Sequence, residues 1–105
     1  SCIINKIAIM ISFYNNTNNF EFCINDVEIE ILMPIFISFN KKTGLKIDEF
    51  GDIRLMVDNL LLIKNISTEY LKQEKTSSNK NIIMKFINNI NKIVAEGRFI
   101  YVSGE

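Results

Sequence analysis

A chain of 105 residues, 48% hydrophobic and 23% charged, can bury one core without disulfides or a structural metal and is too apolar to stay disordered. Its 12 basic and 12 acidic residues cancel, so no net positive field draws it to nucleic acid, and we expect no nucleic-acid partner. It contains no histidine, which excludes Ser-His-Asp hydrolysis at Ser38, Ser67, Ser77 or Ser78 and papain-like catalysis at either cysteine.

The first element is a strand. Ile7, Ile9 and Ile11 alternate with Ala8, Met10 and Ser12, and the alternate face is itself mostly apolar, which suits a central strand. The run 15–19 is turn chemistry, because Asn accepts left-handed backbone and bonds its own main chain. Phe20, Phe22 and Ile24 then alternate with Glu21 and Cys23, giving a second strand and a hairpin.

The next segment carries two patterns. Val27, Ile29 and Ile31 alternate with Glu28 and Glu30 as a strand would, yet Ile29, Leu32, Met33, Phe36 and Phe39 share one helical stripe. The end signals decide. Asp26 as N-cap, acids at the start, Lys41 and Lys42 at the finish and Gly44 as a left-handed stop predict a helix over 26–42. Pro34 removes one of its hydrogen bonds.

After a short extended piece, Leu60, Leu61, Ile63, Ile66, Tyr70 and Leu71 predict a second helix from an Asp58 cap to about Lys75. A polar loop covers 75–79. Ile82, Ile83, Phe86, Ile87, Ile90, Ile93 and Val94 form the cleanest helical stripe, stopped by Gly97, and Phe99 to Val102 close as a strand. The result is an α+β two-layer domain spanning 1–105. A mainly antiparallel sheet, made of the N-terminal hairpin and the C-terminal strand, is covered by about three helices. Ile83, Phe86, Ile90 and Phe99 should lie in the core.

No apolar run approaches the roughly 20 residues of a membrane span, so no membrane is expected. Cys2 and Cys23 make no disulfide framework. We expect two buried thiols in a reducing cytosol, against a bridge between neighbouring N-terminal strands. Balanced charge leaves a homodimer open, since copies do not repel.

The segment 43–55 gathers glycines, acids and an arginine between two apolar-periodic runs. Asp48, Glu49, Asp52 and Asp58 do not follow the alternate-position spacing of a calcium loop, so we expect no metal, no cofactor and no catalysis. Gly44 and Gly51 would shape a loop from which the acids project toward a basic protein partner.

Thr43-Gly44, Ile47-Asp48, Phe50-Gly51-Asp52 and Arg54-Leu55 at a helix-to-helix junction resemble the small bacterial immunity proteins of contact-dependent growth inhibition and related polymorphic toxin systems. The resemblance covers roughly residues 26–72 and departs from the pattern at Glu49, where a proline is usual. It implies a cytoplasmic, non-catalytic protein that binds and neutralises a cognate toxin, a nuclease domain; charge complementarity to such a basic partner makes Asp48, Glu49, Asp52 and Asp58 the expected toxin-binding residues. The alternative is a non-catalytic scaffold or adaptor of a phage- or plasmid-encoded assembly.

Overall fold

The computed structural model describes residues 9–104. They run β1 (Met10–Asn15), β2 (Phe20–Asn25), α1 (Asp26–Thr43), β3 (Asp52–Leu55), α2 (Val57–Gln73), α3 (Ser77–Glu96) and β4 (Ile100–Gly104). The antiparallel sheet has the order β2-β1-β4-β3, so β1 and β4 are its central pair. The two-layer α+β expectation holds: the helices pack on one another and cover one sheet face.

That face is built by alternation. Ile11 and Phe13 on β1, Ile24 on β2, Ile100 and Val102 on β4 and Leu55 on β3 are all buried beneath the helices. Phe86 of α3 is the hub: its ring meets Phe13, Phe22 and Phe36 edge-on, with centroids 5.7–6.3 Å apart.

Helix won over strand at 26–43 because its ends are fully answered. Asn25, rather than Asp26, is the N-cap. Its side chain accepts from the Glu28 N–H at 2.9 Å while Glu28 accepts from the Asn25 N–H at 3.0 Å. Gly44 ends the helix at φ 78°.

Several boundaries moved. β1 starts at Met10 and continues to Asn15, with Ile9 outside it and exposed, while Ile7 and Ala8 lie outside the described residues. The turn is confined to 16–19, with Asn18 left-handed at φ 65°. Phe20 and Phe22 do not share a face. Tyr14 pairs with Phe20 and Phe13 with Phe22, which leaves Glu21 as the extra residue of a bulge and turns Phe20 outward. α2 begins after Met56, whose N–H donates to Asn59 at 2.9 Å, so Asp58 sits inside the first turn and not at the cap. α2 ends at Gln73, and α3 takes in 77–79 from the expected loop.

Two expectations about side chains are corrected. Phe99 is only half-buried, because Ile100 and Val102 take the inner face and period 2 sends Phe99 and Tyr101 out. Cys23 is half-buried and disulfide-bonded, not a thiol. Cys2 lies outside the described residues.

Candidate functional site

The 45–51 loop is held from several sides. The Asn40 side chain donates to the Leu45 carbonyl at 3.1 Å, Ile47 is buried, and Asp48 accepts from the Phe50 N–H at 2.9 Å. Lys46 pairs with Asp48 at 3.6 Å. The Gly104 N–H donates to the Gly51 carbonyl at 3.0 Å. Gly104 is needed there: a Cβ would meet the Asp48 carbonyl oxygen at 2.6 Å, inside any real contact. Main chain packed on main chain makes this loop rigid.

At its tip stands Phe50, 84% exposed, between Glu49 and Asp52. The four acids named from the sequence therefore have different situations. Asp48 is turned inward and shapes the turn, with only 15% of its side chain exposed. Glu49 is half-buried and borders a groove along α1. Asp52 is exposed at the start of β3, opposite Ser103. Asp58 is exposed at the start of α2, beyond the four-residue strand β3 and so about 13 Å of extended chain away from Asp52. The loop holds Asp48 and Glu49, Asp52 follows it directly on β3, and Asp58 stands apart on α2. Among the described residues, no three acidic or thiol side chains come together as a metal-ligating group.

Two further surfaces carry exposed apolar groups. Along α1, Met33, Pro34 and Ile37 floor a groove of about 430 Å³ that Glu49 borders. On the sheet face opposite the helices, one row crosses all four strands: Phe20, Tyr14, Tyr101 and Arg54, paired successively in register. The Arg54 guanidinium lies 5.3 Å from the centre of the Phe99 ring, and Phe99 meets Tyr101 edge-on. A hollow of about 600 Å³ sits over the Tyr14–Tyr101–Arg54 part of this row and includes Asp52.

Sequence reasoning missed Phe50. Its signal was an aromatic between an acid and a glycine, where no periodic run can bury it. Glu74 was missed as well. It ends α2, and its carboxylate accepts from the N–H groups of Thr76 at 3.2 Å and Lys75 at 3.0 Å and from Asn79 at 3.5 Å, at the start of α3, where Thr76 makes no side-chain cap. The Thr76 N–H foremost, with Lys75, Asn79 and the Lys80 charge, holds this carboxyl below its ordinary value of 4.5 against a partial opposition from desolvation.

No family model, curated protein or solved structure matches this chain. Among the described residues, no helix is long and apolar enough to cross a membrane.

Proposed function

We propose that the protein is a non-catalytic inhibitor that binds and neutralises one cognate toxin, a nuclease domain, as small bacterial immunity proteins do. The observation carrying this reading is Phe50, displayed 84% exposed on a braced loop with Glu49 and Asp52 on either side. A rigid aromatic that gains burial only in a complex is the typical anchor of a protein interface. Flanking carboxylates add complementarity to the basic surface with which a nuclease holds phosphates, steering encounter and fixing register.

The test is co-production with the toxin domain encoded beside the gene, reading cell survival and, with purified proteins, affinity. Survival and a tight complex support the reading. Phe50→Ala should weaken the complex by about 2 kcal/mol or more, and Asp52→Asn should mainly slow association and flatten its salt dependence. An adaptor would bind without rescuing growth. Unchanged binding after Phe50→Ala, Glu49→Gln and Asp52→Asn together would move the interface away from this loop.

The proposal assigns the cytosol as compartment, where a nuclease would meet nucleic acid. A disulfide such as the one at Cys23 is uncommon there. Trapping of thiols in intact cells reads this directly: an alkylated Cys23 fits the cytosol, a protected one an oxidising space.

A further inference from the structure

The groove along α1 differs in kind from the hollow on the sheet. Its floor is aliphatic, made by Met33, Pro34 and Ile37 of α1 with Ile9 from the approach to β1. Among the described residues, the charged side chains that border it are all acids: Asp26, Glu30 and Glu49. In the adjoining hollow Lys46 is paired with Asp48 at 3.6 Å. The sheet hollow, by contrast, holds Arg54 and Asp52 together.

Pro34 adds a further acceptor. Lacking an N–H, it leaves the carbonyl of Glu30, itself a residue of the groove, without its helical donor. From Asp26 to Ile37 the groove follows about three turns of helix, roughly 16 Å. Ile37 is 49% exposed within it and Ile9 46%, so the aliphatic floor presents a continuous apolar surface.

We propose that this groove receives a basic amphipathic helix of the toxin, about three turns long, with an apolar ridge on Met33, Pro34 and Ile37. Lysines or arginines beside that ridge would face Asp26, Glu30 and Glu49, and one of them can donate to the Glu30 carbonyl. Charge sign selects the partner, because an acidic or neutral helix would leave three carboxylates facing a desolvated seam. Shape selects a helix over a strand: the groove includes no residue of the edge strands β2 or β3, so an extended peptide would gain no ladder of main-chain bonds. Glu49 joins the groove to the Phe50 loop, so a single partner can cover both. The inference rests on the toxin-binding reading and names the element that does the binding.

Three synthetic helical peptides test it on the full chain by NMR titration. One has leucines at i, i+3, i+4 and i+7 flanked by lysines, one has glutamates in place of the lysines, and one has the basic composition scrambled. The basic amphipathic peptide should shift amides in 26–37 and at Glu49 and bind at least tenfold tighter than either control. Ile37→Glu should weaken it about tenfold, and Glu30→Gln with Glu49→Gln should weaken it less and reduce its salt dependence. Equal binding of the scrambled peptide, or shifts scattered outside the groove, would overturn the proposal. With the neighbouring toxin itself, loss of binding in Phe50→Ala but not in Ile37→Glu would refute the groove and keep the function. Peptide binding in the groove with no toxin binding would do the reverse.

Discussion

The 16–19 turn and the 45–51 loop reverse the chain in opposite ways. In the turn nearly everything is local: the Asn15 side chain accepts from the Thr17 N–H, the Thr17 hydroxyl and the Asn19 N–H, and the Asn15 N–H reaches the Asn19 carbonyl. Its polar side chains answer one another. The 45–51 loop has local bonds too, at Asp48 and from Asn40, but it is also pinned by main chain far along the sequence, at Gly104. Glu49, Phe50 and Asp52 are left unengaged among the described residues. A loop held from outside keeps its own side chains for a partner; a loop held from within does not.

The largest effect that bears on this contrast lies beneath the turn. Phe86→Ala should cost about 3–5 kcal/mol in chemical denaturation, because the hub of the Phe13, Phe22 and Phe36 rings becomes a cavity. Hydrogen exchange should rise first in the hairpin that carries Phe13 and Phe22. A loss below about 1 kcal/mol would mean the ring is not the hub.

Gly104→Ala comes next, at about 1–3 kcal/mol, since the added methyl meets Glu49 and Asp48 main chain that cannot swing away. Amide shifts should move at 48–51 and stay fixed at 16–19. Equal movement in both would dissolve the distinction drawn here. Asn15→Ala should cost about 1 kcal/mol and do the opposite, loosening the turn while the 45–51 loop keeps its shifts.

The smallest effect is a titration. The carboxyl of Glu74 sits below its ordinary value of 4.5, so the stabilisation it brings is complete above that value. It is lost as pH falls through the lowered value in the folded protein. Carbon-detected NMR should show this group titrating below its ordinary value of 4.5, with the start of α3 shifting alongside it and neither loop responding.

The sequence made the helices legible because their stops are chemical: Gly44 and Gly97 both adopt the left-handed conformation their positions implied. Caps were legible only to within a residue or two, since Asn25 and Asp26 are equally good acceptors and only the reciprocal bond with Glu28 selects one. Faces of strands were harder. Phe99 was expected inside because it is large and apolar, but Ile100 and Val102 already fill the inner row, and alternation leaves no choice. The bulge at Glu21 had no local signal, so Phe20 was assigned to the wrong side. For the candidate site, the acidic segment was legible as a loop. That Asp48 shapes the turn and Asp58 stands apart depended on Gly104 and β3, which no local pattern connects to residue 48.

The place of β4 between β1 and β3 has a kinetic consequence. Its pairing of Ile100 with Asn15 closes a loop across three helices and two strands, a contact of high sequence separation that must wait for an entropically costly closure. Among the described residues β3 has no other neighbour in the sheet, so it joins only once β4 is in place. The bond from Gly104 to Gly51 therefore forms among the last, and with it the shape of the loop that displays Phe50. A partly folded chain, with helices docked and hairpin formed, would lack that shape. A toxin that recognises the loop would engage only chains that had completed their sheet.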